Sequence, residues 1–138
     1  MPRVNQLTVP CENRPGRLAQ ITTVMGKAGV NILGFLLTTS GKKGYVKLVV
    51  DDVERAKYAL DKADVPYNVE VVLHARLANT PGALGRFAGK LAAKCINITS
   101  GYQTMEKDSK SASVILEVSQ LDKAIRVASR TSSDRLYD

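Results

Sequence analysis

Apolar and β-branched residues dominate Gln6 to Cys11, which predicts a short strand. Glu12 to Pro15 is polar and predicts a turn. Leu18, Ile21, Met25 and Ala28 then recur at the spacing of one helix face, and Gly29 suits the position just past the helix end. Pro15-Gly16 is expected to open this helix near its first turn, where proline is tolerated because its missing N–H would be unpaired anyway. Val30 to Thr39 and Tyr45 to Val50 are apolar and β-rich, and Ser40 to Gly44 joins them as a hairpin. Asp51 or Asp52 can cap the next helix, whose apolar positions are Val53, Ala56, Leu60 and Ala63. Pro66 follows that helix, and Tyr67 to Leu73 predicts a fourth strand.

The pattern then repeats. Asn13-Arg14-Pro15-Gly16-Arg17-Leu18 resembles Asn79-Thr80-Pro81-Gly82-Ala83-Leu84, an offset of 66 positions. The same offset places Asn31-Ile32 on Asn97-Ile98, with six identities in the 20 positions from residue 13 to residue 32. Further on, the offset becomes 68, with Val46 to Val50 on Val114 to Val118 and Ala56 on Ala124. The two extra residues fall in the polar stretch Glu106 to Ser111, which reads as a longer loop. The second copy is therefore expected as a strand over Leu73–Ala78, a helix over Gly82–Lys94, strands over Asn97–Met105 and Ala112–Ser119, and a helix over Leu121–Arg130. Thr131 to Asp138 makes a poor last strand, so that strand should be short or missing.

The order β-α-β-β-α-β is the split βαβ of the ferredoxin-like fold, an antiparallel sheet with both helices on one face. The expected class is α+β, with two tandem ferredoxin-like repeats at residues 1–71 and 72–138. No linker separates the copies, so they are expected to pack as one rigid unit.

Composition narrows the function. The chain has 138 residues with 44% hydrophobic and 24% charged, enough apolar material for a core. No apolar run is long enough for a transmembrane helix, and Met1 to Val9 lacks a signal-peptide core, so no membrane association and a cytoplasmic location are expected. The net charge of +7 raises a nucleic-acid partner. However, the charge is spread evenly over both halves, no basic block exceeds Lys42-Lys43, and the third strands, Tyr45 to Val50 and Val114 to Val118, lack the aromatic-rich pattern of RNA-recognition sheets on which bases stack. Cys11 and Cys95 lie far apart without a nearby histidine, so no metal site is expected. The single histidine, His74, sits in an apolar strand stretch, and no catalytic constellation or cofactor motif emerges.

Each copy places Asn-x-Pro-Gly between a strand and a helix. Helix N-termini carry unpaired N–H groups, Gly16 and Gly82 let a ligand approach the backbone, and the Asn13 and Asn79 amides offer both donor and acceptor. That chemistry suits a small anion or zwitterion. The same motif also serves as a plain turn and helix start.

The set of Pro-Gly-x-Leu after a first strand, a first helix ending in Gly-Val-Asn-Ile, and then β-β-α-β resembles the ACT domain, in two tandem copies over roughly residues 4–130. It is similar to small stand-alone tandem ACT proteins without a fused enzyme. The resemblance implies a non-catalytic regulatory protein that binds a free amino acid at interfaces between paired ACT domains. It implies a homodimer and a regulated enzyme or transporter as partners, with no cofactor. Loop contacts would come from Asn13, Arg14, Pro15, Gly16, Arg17 and Leu18, and second-strand contacts from Asn31, Ile32 and Leu33. The second copy would supply Asn79, Thr80, Pro81, Gly82, Ala83 and Leu84, with Asn97, Ile98 and Thr99. Arg14 matches Thr80 and Arg17 matches Ala83, so the two sites are expected to differ. A ligand-free assembly module and an RNA-binding ferredoxin-like protein are the alternatives.

Overall fold

A computed structural model of the chain describes residues 2–104 and 109–135, with the side chains of 131–135 left aside. The expected loop at 106–111 falls partly outside the described residues, as does the end of the tail. Two compact units are present: Asn5–Glu70, and Val71–Asp138 together with Met1–Val4.

The unit Asn5–Glu70 contains most of β1 (Arg3–Glu12), then α1 (Arg17–Lys27), β2 (Ile32–Ser40), β3 (Lys43–Val50) and α2 (Val53–Lys62). β3 lies antiparallel between β1 and β2, with Leu7 opposite Leu48 and Leu48 opposite Phe35. Alternate residues Leu7, Val9, Val46, Leu48 and Val50 point to one face. There they meet Ile21 and Met25 of α1 and Ala56 and Leu60 of α2 in a single core, so both helices cover the same face. Asp52 is the residue that caps α2, accepting from the Arg55 amide at 3.0 Å. Asp51 instead joins the strand ends: it accepts from Asn31 N at 3.0 Å while its own N–H donates to Asn31 O at 3.1 Å.

The second unit repeats the plan with the latter part of β4 (Asn68–Ala78), α3 (Ala83–Ala93), β5 (Ile98–Thr104), β6 (Ser111–Val118) and α4 (Leu121–Arg135). β6 lies antiparallel between β4 and β5. Phe87, Leu91, Ala124 and Ala128 close its core over Leu73, Ala75, Leu77, Val114 and Leu116. The predicted fourth strand of copy one and first strand of copy two are one continuous strand, β4. No final strand follows β6 among the described residues. α4 runs on to Arg135, beyond its expected end at Arg130, in keeping with the expectation of a short or missing last strand.

The repeat extends to irregularities. β2 is bulged between Ile32 and Gly34, and β5 between Ile98 and Ser100, which are equivalent places. The turn after the first helix needs a left-handed residue in both copies: Gly29 has φ +73° and its counterpart Cys95 has φ +58°. Cysteine carries a Cβ penalty there of about 1–2 kcal/mol, partly offset in glycine by greater unfolded-chain entropy. Cys95→Gly is expected to raise stability by about 0.5–1 kcal/mol, read as a higher urea midpoint at unchanged m-value.

Candidate functional site

The Pro-Gly pairs form a tight turn ahead of the helix rather than its first turn. Arg17 N–H donates to Arg14 O at 3.4 Å across Pro15-Gly16, and Gly16 has φ +89° and ψ −11°. Ala83 N–H donates to Thr80 O at 3.2 Å across Pro81-Gly82, and Gly82 has φ +85° and ψ −8°. These are the values of a type II β-turn, which favours proline at its second position and requires a left-handed residue at its third. The expectation of Pro15 inside the helix is thereby corrected: Gly16 is the N-cap, and α1 begins at Arg17. The intrahelical ladder starts with Gln20 N–H to Gly16 O in α1 and Arg86 N–H to Gly82 O in α3. The amides ahead of these bonds point outward at the helix N-terminus.

The asparagines latch this turn to the hairpin. Asn13 donates from Nδ2 to Gly41 O at 2.8 Å and from its backbone N–H to Lys42 O at 2.9 Å. Asn79 repeats the pair, to Ser109 O at 2.9 Å and Lys110 O at 2.9 Å. One amide hydrogen of each side chain is thus spent on structure, and the Oδ1 atom is the part that remains suited to a ligand ammonium. The hairpin that holds Asn13 is tight, with Gly41 at φ +62° in the two-residue loop Gly41-Lys42.

Charges at the two loops are arranged differently. Arg14 pairs with Glu12 at 3.0 Å, and Arg17 donates to the Gln20 side-chain oxygen at 3.0 Å. Both contacts are exposed, so they orient more than they stabilise. In the second copy Thr80 and Ala83 carry no charge, but Arg86 stands in. Its guanidinium lies 2.8 Å from where a Cβ on Gly82 would sit. Arg86 occupies the position of Gln20, one helical turn beyond the motif, so comparing the motif alone missed it. Of the remaining loop residues, Leu18 packs against the first core, Leu84 is exposed, and Pro15 and Pro81 are exposed.

The second-strand residues lie elsewhere. Glu12 is opposite Lys43, which is opposite Ser40, so the loop after β1 sits beside the end of β2. Asn31, Ile32 and Leu33 are at its start. Seven strand steps from Leu33 to Ser40 span roughly 23 Å at about 3.3 Å each. Asn97, Ile98 and Thr99 are displaced in the same way, and Thr99 is tied down by its hydroxyl donating to Glu117 O at 3.2 Å. No single repeat therefore brings its loop and its own β2 start together. Among the described residues no group of three metal-ligating side chains occurs, and no helix is long and apolar enough to cross a membrane.

His74 lies on β4, with Nε2 3.1 Å from Ser113 Oγ on β6. Burial, then Arg76, then the N-terminal amine lower its pKa below 6.5. The unfolded chain therefore takes up the proton first as pH falls, and stability decreases from pH 7 downward through 6.5 toward the lowered value. His74→Gln is expected to flatten that part of the stability profile, measured by urea denaturation at several pH values.

Two split βαβ units in tandem, each with its turn latched to its own hairpin, define the class as a duplicated ferredoxin-like α+β protein. Residues 6–62 match the family model described as the ACT domain. The match covers most of the first repeat, and the two repeats together fit a tandem ACT-domain protein. No curated protein matches the chain in sequence. Among solved structures it is similar to protein BT0572 from Bacteroides thetaiotaomicron, at 28% identity and a TM-score of 0.85, over 94% of this chain and 88% of that one. It is also similar to the ligand-free regulatory subunit of aspartate kinase from Thermus thermophilus, at 15% identity and TM-score 0.65, over 92% and 91% of the two chains. The aspartokinase alpha and beta subunits share the fold at 15% identity and TM-score 0.61, over 94% and 92%.

Proposed function

We propose that this chain is a non-catalytic sensor of a free amino acid, with residues 1–71 and 72–138 as its two ACT domains. The ligand sits between the Asn-x-Pro-Gly loop of one domain and the start of the second strand of another. The separation of loop and strand start within each repeat carries this reading: a site that uses both must draw on two domains. The loop offers what a zwitterion needs, namely outward amides and a nearby arginine for the carboxylate, and an asparagine oxygen for the ammonium. Pairing occurs through the edge strand β2 of the first repeat, giving a homodimer that acts on an enzyme or transporter of amino-acid metabolism in the cytoplasm. Equilibrium dialysis against a mixture of radiolabelled proteinogenic amino acids tests the ligand class. Retention of at least one is expected, and no retention at millimolar protein would instead favour an assembly module without a ligand.

A further inference from the structure

The helix layers of the two repeats carry their cations at different places. In the first unit, Val24, Lys27 and Ala28 of α1 and its end face Tyr58, Ala59, Lys62 and Ala63 of α2 and its end across an open cleft of about 480 Å3. The buried counterparts Ile21 and Phe87, Met25 and Leu91, and Ala56 and Ala124 fix the equivalence between units. By that equivalence Val24, Ala28, Tyr58 and Lys62 correspond to Lys90, Lys94, Arg126 and Arg130. The positions that in the first unit line a mostly apolar cleft with two lysines thus carry a cation at all four places on α3, its end and α4. Lys123, whose Nζ donates to Lys94 O at 3.1 Å, brings the start of α4 beside the end of α3 and adds a fifth. Asp122 and Asp134 are the two acids along α3 and α4, and Asp134 follows Arg130 by four positions. The even charge count along the chain concealed this, because residues four apart in sequence share a helix face.

We propose that the exposed basic face formed by α3 and α4 binds the phosphate backbone of a nucleic acid, without reading its sequence. Like charges at i, i+4 spacing on both helices repel one another, and a polyanion relieves that repulsion. Protein interfaces are anchored by buried aromatic and apolar side chains at their centre, and amphipathic membrane helices insert an apolar face. Lys90, Lys94, Arg126 and Arg130 are all exposed, and no aromatic residue lies on this face of α3 or α4 among the described residues. Cations without an apolar anchor match phosphate contacts, which position a nucleic acid but carry no sequence information. This surface is independent of the amino-acid site.

The test is fluorescence anisotropy with a labelled DNA duplex of mixed sequence, titrated at several salt concentrations, with polyglutamate as competitor. Engagement of four to five cations predicts a log–log salt slope of about −4, with little change when the duplex sequence is altered. The quadruple variant Lys90→Gln, Lys94→Gln, Arg126→Gln, Arg130→Gln should bind at least about 100-fold more weakly at low salt and keep its circular dichroism spectrum. Gln substitution of the exposed Lys42 and Lys43 in the first unit serves as the charge control and should leave binding nearly unchanged. Absence of duplex binding by the wild type at low salt would overturn the proposal. Equal loss in the control would do the same, as would polyglutamate competing as well as DNA at equal charge, which would assign this face to an acidic protein.

Discussion

Phe87→Ala is expected to destabilise the protein by about 3–5 kcal/mol, the largest effect of any single truncation considered. Phe87 is the largest fully buried side chain, 1% exposed, and sits where α3 and α4 meet β4 and β6. Its counterpart Ile21 is smaller, so the second core leans more heavily on one residue. The alanine opposite it, Ala124, is too small to collapse into the space, and a cavity adds to the lost transfer energy. Among the described residues the second unit also has no final strand to share the burial. Phe87→Leu, which keeps most of the volume, should cost less than half as much, whereas the exposed Leu84→Ala should be nearly neutral. Urea denaturation followed by circular dichroism reads all three, since the chain has no tryptophan. A Phe87→Ala loss no larger than that of Leu84→Ala would show that this core does not hold the unit together.

The double variant Phe35→Lys, Leu37→Lys is expected to convert a dimer into a monomer. Phe35 is opposite Leu48 and Leu37 opposite Val46, both core residues, so the two side chains point to the helix-covered face. Yet Phe35 is 52% exposed and Leu37 is 41% exposed, and β2 is an edge strand. Leu33, at the bulge, is 53% exposed. An apolar edge with free backbone groups invites a second strand, and lysine on such an edge blocks it. Two anchors of about 2 kcal/mol each correspond to a roughly 1,000-fold rise in the dimer dissociation constant. The equivalent edge of the second repeat carries Gly101 and Gln103, so lysine at Gln103 should leave assembly unchanged. Sedimentation velocity distinguishes the outcomes. A double variant that sediments like the wild type would remove β2 from the interface.

Much of this fold is written in the chain. The apolar periods of α1 to α4 and the paired β runs identify every element, and Pro15, Pro81 and the Asn-Ile pairs reveal the duplication. The local meaning of Pro-Gly was less legible. A proline before a helix fits both N1 and a preceding turn, and only the left-handed φ of Gly16 and Gly82 decides for the turn. The asparagines were legible as polar loop residues, but their partners at Gly41 and Ser109 lie 28 and 30 residues away, beyond any local pattern. For the same reason, the 66-residue offset paired Asn13 with Asn79 correctly, yet it could not say that Asn31 sits at the far end of the same sheet. Arg86 escaped because its charge moved by one helical turn between copies, and the basic face of α3 and α4 escaped because residues four apart in sequence meet only once the helix is formed.

The central claim is that a free amino acid binds at the turn ahead of the helix, between domains. A thermal-shift panel of the proteinogenic amino acids tests it most directly, run on the wild type and on Gly16→Val with Gly82→Val. Strain at two left-handed positions lowers the variant's own melting temperature, so each protein is compared with itself without ligand. At ~100 times its dissociation constant a ligand stabilises the wild type by about 2.7 kcal/mol. The account predicts a clear upward shift with at least one amino acid in the wild type and none in the variant. Flat melting temperatures for the wild type across the whole panel, or an equal shift in the variant, would contradict it.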